Sequence, residues 1–133
     1  MDAVPAEDLV VPRGLERTVA YASDRAGRRW ALDFLQHEVG EAEGLQLRHL
    51  FTQLADIGRI PSPRKFRKER GDIWAFKTAS GARIAAFQSG RVWYLTHGFI
   101  KKQDRWPSNE LERAERIRWE QLQRNRGTRT GSP

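Results

Sequence analysis

Three runs of strand-forming residues lie so close together in this chain that they can pair only with one another. They span residues 72–78, 82–88 and 91–100, and the links between them are Ala79-Ser80-Gly81 and Ser89-Gly90. Two- and three-residue links containing Gly make hairpins, because Gly takes the left-handed backbone angles a tight reversal needs. The three runs therefore predict an antiparallel meander, and the rest of the chain must pack around it.

Upstream, Arg17-Thr18-Val19-Ala20-Tyr21-Ala22 predicts a first strand, and residues 24–27 a turn. A helix begins at Trp30 and fades before Gly40. A second is marked by Leu47, Leu50, Phe51 and Leu54, one apolar stripe, with Gly58 where a C-terminal cap belongs. Residues 59–71 hold Pro61 and Pro63 and then Arg64-Lys65-Phe66-Arg67-Lys68-Glu69-Arg70. Two prolines so close forbid a regular helix, so the segment reads as a basic connector. After Trp106-Pro107, Ser108 or Asn109 can cap a last helix with a patchy face of Leu111, Ala114, Ile117 and Leu122. The fold class expected is α+β: a small antiparallel sheet of about four strands in β-α-α-β-β-β-α order, flanked by two N-terminal helices and one C-terminal helix. Residues 1–16, with Pro5 and Pro12 and no periodicity, read as a flexible arm. Residues 17–123 read as the folded domain, and 124–133 as a disordered basic tail.

Composition narrows the function. The 133 residues contain no Cys, which removes disulfides, thiolate catalysis and Cys-based zinc sites. No stretch is long and apolar enough for a membrane span, and the acidic N-terminus lacks the apolar run of a secretory signal, so a cytoplasmic location is expected. The net charge of +7 is unevenly placed. Residues 1–58 carry 10 acidic and 6 basic side chains, whereas residues 59–105 carry 12 basic and 3 acidic. Such concentration suits a polyanion, of which nucleic acid is the commonest; an acidic protein is the alternative.

Familiar catalytic signatures are missing. No Gly-rich loop follows a strand, no Ser sits at a nucleophile elbow, and His37, His49 and His97 are scattered, so no metal site is expected. What remains is cationic. Lys77, Arg83, Lys101 and Lys102 lie on or beside the meander, and Arg64, Lys65, Arg67, Lys68 and Arg70 precede it; together they can converge on one concave face. Arg83 stands mid-strand beside Ala82 and Ile84, awkward for a charge unless it is paired or faces a ligand. Strict alternation puts His97 on one face with Trp93, Leu95 and Phe99, as a core histidine or a catalytic one. Trp30, Trp74 and Trp93 read as core. Trp106, in a loop after Lys101, Lys102 and Arg105, is placed either to stack on an unpaired base or to pack over the last helix.

The ordered set Gly71-Asp72-Ile73-Trp74-Ala75-Phe76-Lys77, Gly81-Ala82-Arg83-Ile84, Leu95-Thr96-His97-Gly98-Phe99-Ile100-Lys101-Lys102 and Trp106-Pro107, followed by a helix with Ala114, resembles the phage-derived, HigB-like branch of the RelE/ParE toxin superfamily. The resemblance covers about residues 17–123. It implies the toxin of a type II toxin–antitoxin pair. In the RelE- and HigB-like members the activity is metal-independent mRNA cleavage, usually in the ribosomal A site, with the ribose 2′-hydroxyl attacking the adjacent phosphate. On that resemblance Arg83 stabilises the transition state, and Lys77 stands at the position of a strand arginine. Lys101 and Lys102 match a Lys-Lys pair, and His97 is the near-neutral group of the region. Arg64, Lys65, Arg67, Lys68, Arg70, Arg105 and Trp106 would contact RNA. The implied partners are mRNA on the ribosome and an antitoxin, a helix-turn-helix protein, with no small-molecule cofactor and no membrane. The chain departs from the pattern at Ala75 (a Glu in the family), Lys77 (an Arg) and Ala82 (a Tyr), and has no Tyr or His after His97. The general acid and base are therefore unassigned. A ParE-like inhibitor of DNA gyrase, and a nucleic-acid-binding module without catalysis, stand as alternatives.

Overall fold

The structure is a computed structural model and describes residues 4–102 and 105–130. Its elements are β1 (Thr18–Tyr21), α1 (Trp30–His37), α2 (Glu41–Ile57), β2 (Phe66–Arg70), β3 (Ile73–Lys77), β4 (Ala82–Ser89), β5 (Val92–Ile100) and α3 (Ser108–Thr130). The sheet order is β1-β5-β4-β3-β2. The meander is antiparallel as expected, and Gly58 caps α2 at φ +87° with its N–H on the Leu54 carbonyl at 2.9 Å. The fold class is the expected one: α+β, with a sheet and three helices.

Three details differ from expectation. The sheet has five strands, because the basic connector contains β2, antiparallel to β3. Pro61 and Pro63 lie ahead of the strand rather than in it, Phe66 points into the core, and Gly71 at φ +57° closes the β2–β3 turn. The sheet is also mixed: β1 runs parallel to β5. Finally, both ends are structured where they are described. Leu9 bridges to Ala20, the Val10 N–H donates to the Val19 carbonyl at 2.9 Å, and Val10 and Val11 are buried. The apolar pair between the prolines thus secures a segment expected to be a loose arm. At the other end α3 continues through the expected tail to Thr130, with no Pro to stop it. Asn125 Nδ2 donates to the Tyr94 hydroxyl at 3.2 Å, and Arg124 donates to the Asp24 carbonyl at 2.7 Å.

Helices cover both faces of the sheet. Against α1 and α2 pack Phe66, Phe76, Ile84, Trp93 and Leu95, with Phe34, Leu47, Phe51 and Leu54 from the helices. Against α3 pack Ile73, Ala75, Phe87, Tyr94 and Phe99, with Ala114 and Ile117. This two-sided burial explains why β4 and β5 read as nearly continuous apolar runs instead of alternating ones.

A bulge in β5 reassigns its second half. Ala86 pairs with Leu95 and Ala85 with His97, leaving Thr96 as the extra residue, its hydroxyl 3.2 Å from the Ala85 carbonyl. Trp93 and Leu95 therefore face α1 and α2, whereas Phe99 lies in the α3 core and His97 meets Glu110 of α3. Strict alternation, which put all four on one face, fails at that residue. Gly98 is turned toward α1, with the Phe34 ring so near that a Cβ would lie 2.2 Å from Cδ2.

Candidate active site

At one end of the sheet Lys77, the last residue of β3, pairs in register with Arg83 of β4, and Arg83 pairs with Phe99 of β5. Two grooves meet here. One, of about 580 Å³, runs between α2 and the β3–β4 turn and is lined by His49, Arg64, Lys65, Lys77, Thr78 and Arg83 among others. The second, of about 390 Å³, lies toward the start of α3, with Arg67, Arg70, Lys77, Lys101 and Arg105 on its walls. Lys77 lines both.

Arg83 is half-buried. One of its Nη atoms donates to the Thr78 carbonyl at 3.1 Å and to the Ala82 carbonyl at 3.0 Å, while its Nε is buried with no hydrogen-bond partner. A buried N–H left unpaired costs about 1–3 kcal/mol and so calls for a reason. Burial lowers the Arg83 pKa, opposed by the charges of Glu69 and Glu43. Lys77 is also pushed below the ordinary lysine value, first by burial and then by the positive charges of Arg67 and Arg83. The pair thus combines fixed positive charge with an ammonium that gives up its proton more readily than a free one.

Glu43 braces the site from α2. Its carboxylate accepts hydrogen bonds from the hydroxyls of Thr78 and Ser80, which hold it below the usual carboxylate range. Thr78 Oγ1 in turn accepts the Ala82 N–H at 3.1 Å, so the β3–β4 turn is fixed to the helix beside Arg83. Sequence reasoning missed Glu43, because nothing local links it to a turn 35 residues away.

The expected site residues are not gathered on one concave face. Arg64 and Lys65 line the first groove, and Arg67, Arg70, Lys101 and Arg105 the second, whereas Lys68 and the exposed Lys102 line neither. Trp106 lines the second groove but is only 7% exposed, its ring packed edge-on against Phe99 at 4.7 Å between centroids. His97 is 1% exposed, stacked on Phe99, with Nε2 3.0 Å from Glu110, and lines neither groove. Among the described residues no cluster of three His, Cys, Asp or Glu side chains is placed to hold a metal ion.

The His97–Glu110 pair joins β5 to the first turn of α3 and makes stability pH-dependent. Burial depresses the His97 pKa below its ordinary 6.5 despite the opposing pull of Glu110, and the bond from His97 holds Glu110 below its ordinary 4.5. The folded protein resists protonation at both groups more than the unfolded chain does. Stability is thus fully present above pH 6.5, starts to fall as His97 is pressed to protonate below that, and falls further below 4.5 with Glu110. The melting temperature should drop along that course. The double variant His97→Gln/Glu110→Gln should flatten it; an unchanged acid slope would show that the pair carries none of it.

With this geometry established, a family model described as Phage derived protein Gp49-like (DUF891) matches residues 31–118. The chain belongs to this family. Gp49-like proteins are RelE-like toxins of toxin–antitoxin systems. The matched span runs from α1 into α3 and includes Lys77, Arg83 and Lys101; β1, the N-terminal segment and the rest of α3 lie outside it. No curated protein matches the chain. No helix of this Gp49-like chain, among the described residues, is long and apolar enough to cross a membrane.

Proposed function

We propose that this Gp49-like chain is the toxin of a type II toxin–antitoxin pair and acts as a metal-independent endoribonuclease on ribosome-bound mRNA, held in check by a helix-turn-helix antitoxin. The observation that carries this reading is the in-register Lys77–Arg83 pair where two cationic grooves meet. One groove supports the backbone on each side of the pair, so the phosphate between them lies against both cations.

The chemistry that fits is internal transesterification. The 2′-oxygen attacks the adjacent phosphorus, the bond to the 5′-oxygen breaks, and the products carry a 2′,3′-cyclic phosphate and a 5′-hydroxyl. Negative charge grows on the non-bridging oxygens in the transition state, and the Arg83 guanidinium, one Nη held by the Thr78 and Ala82 carbonyls, can turn its other Nη to them. The 2′-hydroxyl proton leaves to water, and the departing 5′-oxygen takes a proton from Lys77, whose lowered pKa makes it a better acid than a free lysine. Arg64, Lys65, Arg67, Arg70, Lys101 and Arg105 bind flanking phosphates, a contribution that weakens with salt.

Pulse labelling after induced expression in a bacterial host tests the reading. Amino-acid incorporation should stop first, with thymidine incorporation following later. A fall in thymidine incorporation before any change in translation would favour gyrase as the target and overturn it.

A further inference from the structure

Of the five tryptophans, four are engaged. Trp30 donates to Asp24 and lies under the Arg28 guanidinium, Trp74 and Trp93 meet each other and Phe66, and Trp106 meets Phe99. Trp119 of α3 is 52% exposed and has no ring or hydrogen-bond partner among the described residues. It stands in a cleft of about 310 Å³ with Arg25, Glu120, Gln123 and Arg124. Arg116 and Gln123, three residues before and four after, share its face of the helix. The carboxylates nearby are occupied: Glu120 accepts the Arg25 backbone N–H at 2.7 Å, and Glu115 pairs with Arg118 at 3.6 Å. The Arg25 and Arg124 segments are themselves fixed, since Arg124 donates to the Asp24 carbonyl at 2.7 Å.

An exposed indole adds nothing to the core, and guanidinium groups around it disfavour burial against an apolar partner surface. The same arrangement suits a nucleotide: the flat ring offers a stacking face to any base, and the arginines meet the phosphates on either side. We infer that the Trp119 cleft is a second RNA-binding site, outside the Lys77–Arg83 grooves, which takes an unpaired nucleotide by stacking on the indole between Arg25 and Arg124. It rests on the RNA-directed reading above for its ligand class alone; whether the chain cuts is a separate matter. Its function would be to anchor the protein on single-stranded RNA through a contact separate from the Lys77–Arg83 grooves.

Fluorescence anisotropy with a labelled oligouridylate, using the full chain, tests it. One stacked base is worth about 1–3 kcal/mol, so Trp119→Ala should weaken binding by roughly 5- to 150-fold. Trp119→Phe should keep most of the affinity. The slope of affinity against salt should be unchanged in both, because no phosphate contact is removed, whereas Arg25→Ala should lower it by about one. Wild-type affinity in Trp119→Ala overturns the proposal, as does a loss that Phe does not rescue. If Trp119→Ala binds RNA normally but loses a co-expressed antitoxin, the surface belongs to a protein and the proposal is again overturned. The two readings separate cleanly. Trp119-dependent binding by a chain that leaves mRNA intact would sink the nuclease alone, and cleavage with Trp119-independent binding would sink the second site alone.

Discussion

Replacing Arg83 with Ala is expected to lower single-turnover cleavage of ribosome-bound mRNA by about 10²–10³-fold, the usual loss on removing one donor aimed at developing negative charge. The effect should fall on the rate of the bound complex and little on affinity, because Lys77 and six further cations line the grooves and share the phosphate contacts. Folding should survive. Arg83 is half-buried, and its removal leaves the Thr78 and Ala82 carbonyls paired with the Gly81 and Thr78 N–H groups while eliminating the unpaired Nε. Arg83→Lys should recover only part of the rate, since one ammonium cannot both hold the Thr78 and Ala82 carbonyls and reach the phosphate as a planar guanidinium can. A full rate in Arg83→Ala would remove this residue from the reacting phosphate.

The largest effect on stability is expected at Gly98. A Cβ there would meet Phe34 at 2.2 Å from Cδ2 and 2.5 Å from Cγ, and Phe34 is 2% exposed in the α1-facing core. The ring cannot swing aside without displacing its neighbours. Gly98→Val should therefore cost about 3 kcal/mol or more, on the order of 10 °C in Tm, as overpacking strain. Phe34→Leu opens space at the same point, so the double variant should be more stable than the sum of the single losses predicts. Strict additivity in thermal melts would show that the two positions do not press on each other.

Gly98 also shows how far the sequence can be read. Its strand, its hairpins and the Gly58 cap follow from local chemistry, the spacing of turn residues and the period of apolar ones. The Thr96 bulge does not, since no residue type marks it, and one extra residue reverses every side chain after it. That is why His97 was grouped with Leu95 when it in fact meets α3. The edge strand β2 was hidden by its charge: Arg67, Lys68 and Arg70 look like loop, and only Phe66 and the Gly71 turn hint at pairing. The site divides in the same way. Arg83 stands out in the sequence because a charge in mid-strand demands a reason, Lys77 only through the resemblance, and the register brings the two side by side. Glu43, Glu110 and the Trp119 cleft were not, because each depends on which helix face meets which turn, a matter settled only by tertiary packing.

The central claim is that this chain breaks RNA by internal transesterification at Lys77 and Arg83. The most direct measurement incubates the purified protein with mRNA-programmed ribosomes, maps the fragment ends, and assays gyrase supercoiling in parallel. The account predicts fragments bearing 5′-hydroxyl and 2′,3′-cyclic phosphate ends, formed far more slowly by Arg83→Ala, with supercoiling untouched. Intact message together with inhibited supercoiling, or fragments carrying 5′-phosphates, would contradict it.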